Sequence, residues 1–245
     1  MFIARFFCAF TLPYSYQYAF LCVMRREEAI AVPKGLSKEE QEGLKKGELL
    51  PLMEAFYTLQ GEGLHTGKAA YFIRVGGCDV GCHWCDVKES WDAGLHPPTA
   101  VTKIVDDALQ HPARTIVVTG GEPLMWNLDP LCNALKEAGF TIHIETSGAY
   151  PYSGHFDWIC LSPKKRKPAT AELVDKADEL KVIIYNKDDF KWAESYAKQV
   201  PQKTALFLQP EWSVREKMMP EIISYVQENP KWTVSLQTHK YLHIP

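Results

Sequence analysis

From residue 53 onward the chain alternates between short, almost continuously apolar segments and longer amphipathic ones. The apolar segments predict strands at Ala70–Val75, Thr115–Thr119, Phe140–Glu145, Trp158–Leu161, Leu180–Tyr185, Ala205–Gln209 and Thr233–Gln237. The amphipathic segments predict helices at Val101–Gln110, Leu128–Ala138, Asp189–Lys198 and Glu216–Glu228. Strands that are apolar along their whole length are typical of a parallel sheet buried on both faces. The pattern therefore predicts an α/β fold with a mostly parallel sheet and right-handed crossovers.

The first 52 residues do not follow this alternation. Residues 1–23 are apolar and aromatic, but Pro13 interrupts them and the run is too short to span a membrane. We interpret Met24 as the true start of the protein and residues 1–23 as upstream sequence, since no clear signal-peptide cleavage site follows them. Residues 24–52 form an N-terminal extension with a short helix, in which Ser37 is the N-cap and Glu40 completes a capping box. Residues 53–245 are the main predicted domain.

Composition and charge exclude several classes of function. The 245 residues are 46% hydrophobic and 23% charged, as in ordinary globular proteins. Their net charge of −3 gives no electrostatic reason to expect a nucleic-acid partner, and no segment suggests a membrane partner. We interpret the one dense basic run, Lys164–Lys167, as a solvated loop. Seven cysteines, three of them clustered, favour a reducing compartment over a disulfide framework.

The three clustered cysteines directly follow the predicted strand Ala70–Val75. Cys78, Cys82 and Cys85 have the spacing C-x3-C-x2-C. Three thiolates on one loop can bind three irons of a [4Fe–4S] cluster and leave the fourth iron open, whereas electron-transfer clusters use four cysteines. Two alternatives stay open at this point. One is a zinc site with His83 as a cramped fourth ligand, and the other is a loop whose cysteines bind no metal.

A glycine-rich turn follows the predicted strand Thr115–Thr119. It reads Thr119-Gly-Gly-Glu-Pro123, and its glycines permit positive φ and a close approach of the backbone to a ligand. Alone, it could be a simple strand-to-helix turn. The two motifs together, in this order, resemble the radical S-adenosylmethionine (SAM) superfamily. That resemblance implies a partial, open (β/α) barrel of the radical SAM type over residues 53–245, with its site at the carboxyl ends of the strands.

Three further segments narrow the resemblance: Gln60-Gly-Glu-Gly63, Ile73-Arg74, and a C-terminal Thr238-His-Lys240 that is followed by Pro245. Over residues 53–245 the chain is similar to the 7-carboxy-7-deazaguanine synthase family. The resemblance implies substrate contacts from Leu59, Gln60, Gly61, Glu62, Arg74, Thr119, His239 and Pro245. It implies SAM contacts from Trp84, Cys85, Asp86, Gly121, Glu122, Ser147, Ser162, Pro163, Lys164 and Gln209. The [4Fe–4S] cluster would be held by Cys78, Cys82 and Cys85.

The family resemblance also implies a reaction. It would be that of a radical SAM carbon–nitrogen lyase, which converts 6-carboxy-5,6,7,8-tetrahydropterin to 7-carboxy-7-deazaguanine with loss of ammonia, in queuosine precursor biosynthesis. The implied cofactors are a [4Fe–4S] cluster, SAM and Mg²⁺, and no catalytic side chain is implied beyond the cofactor radical. The implied partners are an electron donor such as flavodoxin or ferredoxin and a second copy of the chain in a homodimer. Oxygen-sensitive cluster chemistry implies a cytoplasmic location.

Two rival functions are kept at this stage. The first is an activating enzyme that forms a glycyl radical on a protein partner, which would need an open groove. The second is an iron–sulfur or zinc protein that transfers electrons or binds a partner without catalysis.

One position departs from the family pattern. Where the family has a threonine whose hydroxyl binds Mg²⁺, this chain has Val87, directly after Cys85-Asp86. Mg²⁺ requires oxygen ligands, and a valine side chain has none. We therefore expect Mg²⁺ to stimulate activity weakly or not at all.

The C-terminus carries an expectation of its own. Chain ends usually fray, but Pro245 follows an apolar segment, and the resemblance implies that its carboxylate covers the substrate. We expect a C-terminal tag to lower activity by at least about tenfold, because each charge-assisted hydrogen bond of the carboxylate contributes about 1.5–3 kcal/mol. An N-terminal tag should be harmless.

Overall fold

Residues 33–245 are described by a computed structural model, and their strands form one open nine-stranded sheet. The strands are β1 (Leu49–Leu59), β2 (Ala69–Val75), β3 (Pro98–Ala100), β4 (Thr115–Gly120), β5 (Thr141–Thr146), β6 (Trp158–Leu161), β7 (Glu179–Ile184), β8 (Ala205–Pro210) and β9 (Trp232–Val234). Their order across the sheet is β3-β1-β2-β4-β5-β6-β7-β8-β9. Every pair from β2 to β9 is parallel, whereas β1 pairs antiparallel with both β2 and β3. The prediction of a mostly parallel, open α/β sheet is therefore confirmed.

The helices of the described residues lie mainly between consecutive strands. They are α1 (Lys38–Lys46), α2 (Val101–Leu109), α3 (Asp129–Glu137), α4 (Ala171–Lys176), α5 (Asp188–Ala197), α6 (Arg215–Glu228) and α7 (Thr238–Leu242). The four core helices predicted from amphipathicity agree with α2, α3, α5 and α6 to within one residue at each end. The capping box of α1 is also present, since Ser37 Oγ accepts from Glu40 N at 3.1 Å and Ser37 N donates to Glu40 Oε2 at 2.8 Å.

Strands β1 and β3 are not found by the sequence pattern. The alternation along β1 is broken by a shift of register between Leu52 and Glu54, so the strand does not show a regular period of two. Leu44 of α1 and Leu50 of β1 are fully buried in the core, although both lie in the predicted N-terminal extension. The interpretation of residues 1–23, and of residues 24–32 within the extension, falls outside the described residues.

The last predicted strand, Thr233–Gln237, is wrong in its second half. Strand β9 ends at Val234. The chain then crosses toward the end of β1, where Thr238 N donates to Gly61 O at 2.9 Å and Thr238 Oγ1 donates to the same carbonyl at 2.8 Å. These contacts turn the chain into α7, which the sequence pattern also misses because the helix is short.

The two faces of the sheet differ in polarity. On one face, Ile142 and Ile144 of β5 and Leu180 and Val182 of β7 are fully or almost fully buried in the hydrophobic core under the helices. Successive side chains of a strand point to opposite faces, so the alternate positions of β5 and β7 face the interior of the open barrel. Those positions are His143, Glu145, Glu179 and Lys181. The fold therefore places charged side chains on its concave side, below the mouth formed by the carboxyl ends of the strands.

Candidate active site

A pocket of about 490 Å³ opens where the carboxyl ends of the parallel strands meet. This is the usual position of a ligand site in open α/β sheets, and the volume is typical of a small-molecule site. The pocket is lined by nearly all the residues predicted from the sequence: Leu59, Gln60, Gly61, Glu62, Arg74, Cys78, Cys82, Trp84, Cys85, Asp86, Val87, Thr119, Gly121, Glu122, Ser147, Ser162, Lys164, Gln209, His239 and Pro245. Pro163 is buried and does not form part of the wall.

The cysteine loop leaves β2 at the pocket wall. Cys78, Cys82 and Cys85 are all unpaired and partly exposed. The backbone fixes the start of the loop, since Gly77 N donates to Ser90 O at 2.6 Å and Cys78 N donates to Trp91 O at 3.1 Å. The three thiols therefore face the pocket from one anchored loop.

These thiols fit a [4Fe–4S] cluster by their number, exposure and chemistry. Burial raises the pKa of Cys78 to about 11, so its thiolate forms readily only when a metal takes the place of the proton. Within residues 33–245, no three His, Cys, Asp or Glu side chains converge on one point as the ligands of a single metal ion would. A cluster needs no such convergence, because each thiolate binds a different iron.

The glycine turn after β4 packs directly against the start of the cysteine loop. Gly120 has a φ of +141°, and a Cβ on it would lie 2.1 Å from Val75 O. A Cβ on Gly121 would lie 2.4 Å from Gly77 O and 2.9 Å from Cys78 Cβ. Side chains at either position would separate the two loops. Glycine is therefore required here for contact between the loops.

Glu122 fixes this turn from below. Its carboxylate is 1% exposed and accepts from Thr146 Oγ1 at 2.6 Å, Ser147 N at 2.8 Å, Leu124 N at 3.1 Å and Ser147 Oγ. The carboxylate is thus fully used within the protein, and it ties the turn after β4 to the turn after β5. Ser147, a predicted SAM contact, is one of its partners.

A buried lysine joins two carboxylates deep in the pocket. Lys181 has a side chain that is 4% exposed, and its Nζ lies 2.5 Å from Glu62 Oε2 and 2.7 Å from Glu145 Oε2. Gln60 Nε2 donates to Glu145 Oε1 at 3.1 Å, while Gln60 Oε1 accepts from Glu62 N at 3.1 Å. We call these four residues, Gln60, Glu62, Glu145 and Lys181, the polar floor.

Within the polar floor, Glu62 and Lys181 stabilise each other's charged forms. Burial alone would raise the pKa of Glu62, but the ammonium of Lys181 outweighs it and lowers the pKa to about 2. Burial would likewise lower the pKa of Lys181, yet the carboxylates around it raise that pKa well above its usual value. At neutral pH Glu62 is thus a carboxylate and Lys181 an ammonium.

Glu145 and Lys181 are site residues that the sequence interpretation misses. The sequence does contain a sign of the role of Lys181, which is the lone cation in the apolar strand Glu179–Ile184. Burying a lysine in such a strand is costly unless the lysine is paired. Glu145 had a weaker signal, as an acidic residue near the carboxyl end of β5.

Arg74 lies at the wall on β2 with its side chain 20% exposed. Its Nε donates to Glu54 Oε1 at 2.7 Å. A guanidinium has five N–H donors, so the Nη groups are not used by this ion pair. Arg74 therefore keeps donor capacity toward the pocket, as a carboxylate ligand requires.

The segment after the third cysteine offers few free oxygens. Asp86 Oδ2 accepts from Lys240 Nζ at 2.7 Å, and Val87 O accepts from Ser90 Oγ at 2.7 Å. The side chain of Val87 has no ligand atom. A cation at this position would compete with Lys240 for Asp86 Oδ2 and with Ser90 for Val87 O.

The C-terminal segment closes one side of the pocket. Gly61 touches the ring of His239 so closely that a Cβ would lie 2.2 Å from His239 Nδ1. Burial lowers the pKa of His239, which favours a neutral imidazole at neutral pH. Pro245 reaches back to the pocket wall, and its O accepts from Thr58 Oγ1 at 3.4 Å.

Two other predicted SAM contacts have partners inside the protein. Lys164 Nζ donates to Ser162 O at 2.5 Å and to Ser162 Oγ at 2.7 Å. Gln209 is buried, and its Oε1 accepts from Ser235 Oγ at 2.7 Å. Lys164 remains at the wall beside the ring of Trp84, whereas Gln209 mainly secures the loop that leads to α7.

No helix among the described residues is long and apolar enough to cross a membrane.

Comparisons with known proteins agree with this architecture. The radical SAM superfamily profile matches residues 72–182. The chain is 63% identical over 210 residues to a 7-carboxy-7-deazaguanine synthase from Flavobacterium psychrophilum. That alignment covers 86% of this chain and 100% of the Flavobacterium protein. It is 50% identical over 194 residues to the enzyme of the same name from Synechocystis, with coverage of 79% and 93%. A crystal structure of QueE from Escherichia coli superimposes with a TM-score of 0.69 at 27% identity and covers 82% of this chain and 99% of that one.

Proposed function

Because the chain belongs to the 7-carboxy-7-deazaguanine synthase family, we propose that its pocket is where 6-carboxy-5,6,7,8-tetrahydropterin becomes 7-carboxy-7-deazaguanine. The protein is a radical SAM enzyme, a lyase of queuosine precursor biosynthesis that releases ammonia. One observation carries the assignment to this pocket: the cysteine loop, the glycine turn and the polar floor line a single cavity.

The residues that would hold the cofactors lie on one side of the cavity. Cys78, Cys82 and Cys85 would bind the [4Fe–4S] cluster, and the backbone of Gly120-Gly121 would receive the methionine part of SAM. When bound, the cluster and SAM supply the radical that removes a hydrogen atom from the substrate. The protein contributes position and exclusion of water, and Glu122 contributes by fixing the glycine turn to the neighbouring loop.

The residues that would hold the substrate lie on the other side. A pterin presents amide and amino N–H groups along one edge, and the carboxylates of Glu62 and Glu145 are acceptors for them. The ammonium of Lys181 lies between the two carboxylates and lowers the pKa of Glu62. Arg74 would bind the substrate carboxylate with the Nη groups that Glu54 leaves free.

A small substrate is also supported by the C-terminal segment. Helix α7 and Pro245 line the cavity, with Thr238 bonded to Gly61 O. A protein substrate, such as the loop that an activating enzyme must admit, would have to displace them.

Four finer properties belong to the same proposal. Mg²⁺ is a weak or dispensable cofactor, since Val87 has no side-chain oxygen. A flavodoxin or ferredoxin is the electron donor, the protein is a homodimer, and it works in the cytoplasm, where oxygen-sensitive clusters persist.

The proposal is tested by one assay. The anaerobically reconstituted protein is incubated with SAM, dithionite and 6-carboxy-5,6,7,8-tetrahydropterin, and the products are identified by mass spectrometry. We expect 7-carboxy-7-deazaguanine. Release of 5′-deoxyadenosine without that product would mean that the cofactor site is correct and the substrate is not.

A further inference from the structure

The basic run Lys164–Lys167 follows β6 and the predicted SAM contacts Ser162 and Pro163. Lys164 and Lys167 form an isolated antiparallel bridge, so the run is a tight turn, which we call the basic turn. Each of its four side chains contacts another part of the protein. The run is a loop with Lys165 and Arg166 exposed, as the sequence interpretation expects, but its side chains also bind other parts of the protein.

Lys167 binds Asp79, the residue that follows the first cysteine. Its Nζ donates to both carboxylate oxygens of Asp79, at 2.9 and 2.8 Å, and to Tyr150 OH at 2.6 Å. Tyr150 is 3% exposed and is part of the core, so it is a rigid support. Asp79 directly follows Cys78. The ammonium thus links the start of the cysteine loop to the core.

Arg166 binds Gly81, the residue that precedes the second cysteine. Its Nη1 donates to Gly81 O at 2.7 Å. Gly81 has a φ of +66°, a backbone conformation that residues other than glycine rarely adopt. Gly81 directly precedes Cys82.

Lys164 lies beside the residue that precedes the third cysteine. Its Nζ lies 5.8 Å from the centroid of the Trp84 ring, within reach of a cation–π contact, and Trp84 directly precedes Cys85. Lys165, by contrast, points away from the cysteine loop and pairs with Asp189, whose carboxylate caps the turn before α5.

We propose that the basic turn holds the cysteine loop in its cluster-binding conformation, with Arg166 and Lys167 as positioning residues. Three of its four cations each contact a residue next to a different cysteine, and two of these contacts are hydrogen bonds. A loop that is fixed before metal binding loses less conformational freedom when the cluster forms. The cations also lie beside the site of an anionic cluster, where net charge influences the reduction potential. The proposal rests on the proposed function only in assigning the cluster to this loop.

The test uses the full-length, anaerobically reconstituted enzyme without SAM. The rate of iron release to a ferrous chelator is compared between wild type, Lys167→Met, Arg166→Met and the matched control Lys165→Met. We expect about tenfold faster release from each of the first two variants, which corresponds to about 1.4 kcal/mol, and an unchanged rate from the control. Equal rates for Lys167→Met and Lys165→Met would overturn the proposal.

Two further measurements separate positioning from general stability. Lys167→Arg keeps the cation and should restore the wild-type rate, while Asp79→Asn should match Lys167→Met, and the double variant should be no worse than either single one. The midpoint potential of the cluster should fall in Lys167→Met because a nearby positive charge is lost. A thermal midpoint that falls equally in Lys165→Met and Lys167→Met, with equal potentials, would indicate a merely structural role.

A cluster-independent measurement keeps this proposal distinct from the proposed function. In iron-free protein, alkylation of Cys78 and Cys82 by iodoacetamide should be about tenfold faster in Lys167→Met than in Lys165→Met. If wild type bound no cluster but this difference remained, the proposed function would fail and the basic turn would still position the loop. If the alkylation rates were equal, the positioning proposal would fail.

Discussion

Replacing Lys181 with methionine should lower the free energy of unfolding by an amount that depends on pH. Methionine has a similar length and no charge, so Glu62 and Glu145 would face each other without the ammonium that now lies 2.5 and 2.7 Å from them. Burial raises the pKa of Glu62, but Lys181, with smaller contributions from His239 and Gln237, outweighs burial and brings the pKa from 4.5 to about 2. At about 1.4 kcal/mol per pKa unit, this net shift corresponds to about 3 kcal/mol. Removing one partner of a buried ion pair costs about 3–5 kcal/mol. We therefore expect Lys181→Met to lower the free energy of unfolding by about 3 kcal/mol at pH 7.

The contribution of Glu62 to stability should change with pH in the opposite direction in the variant. In wild type, the pKa of Glu62 is lower folded than unfolded, so its contribution is present above pH 4.5 and is lost as the pH falls toward 2. Without Lys181, burial leaves the folded pKa of Glu62 above 4.5. The folded variant then binds more protons than the unfolded chain, and its stability should rise as the pH falls from 7 to 5.

The assay is urea denaturation of the iron-free protein at pH 7 and pH 5, with substrate affinity measured in the reconstituted enzyme. Lys187→Met is the control, because that side chain is 72% exposed and its pairing with Glu221 should contribute less than about 1 kcal/mol. The triple variant Glu62→Gln, Glu145→Gln, Lys181→Met should recover part of the stability but not substrate binding. The reasoning is refuted if Lys181→Met is as stable as the Lys187→Met control at both pH values.

Three further outcomes are expected. Cys78→Ala should abolish the brown chromophore and activity together, and a colourless wild-type protein that carries zinc would contradict the cluster assignment. Gly120→Ala should prevent cluster loading, because its Cβ would lie 2.1 Å from Val75 O, whereas Gly139→Ala, at a φ of +80° with open space around it, should cost only about 1 kcal/mol in unfolding free energy. Val87→Thr should create or increase stimulation by Mg²⁺, and full dependence of the wild-type activity on Mg²⁺ after EDTA treatment would disprove the reasoning.

The sequence predicted the parts of the site that depend on local motifs. The spacing of the cysteines and the Gly120-Gly121 turn are set by a few adjacent residues, and their place at the ends of β2 and β4 follows from apolar strands that precede them. The pocket then brings both motifs together. Such features can be predicted because each is encoded within about ten residues.

The parts that were missed depend on contacts between distant residues. Lys181 lies far along the chain from Glu62, and nothing local shows that the two side chains meet inside the barrel. The basic turn has the same difficulty, because Lys167 and Asp79 belong to different loops. Strand β1 was missed for another reason, since its bulge near Leu52 disrupts the alternation that identifies a strand. For Lys181 and the basic turn, contacts between distant residues decide what no local pattern shows.

Several polar contacts around the cavity join the loops at its mouth to each other or to the ends of strands. Glu122 joins the turn after β4 to that after β5, Lys167 joins the turn after β6 to the cysteine loop, and Thr238 joins α7 to the end of β1. Stability alone does not account for an exposed ion pair such as Lys167–Asp79, since such pairs contribute at most about 1 kcal/mol. Apolar packing, however, does not fix polar groups in the directions that bound ligands need. A cluster, SAM and a pterin must be held within fractions of an ångström of one another, and strands fix only the two ends of each loop. The contacts between the loops supply the remaining constraint.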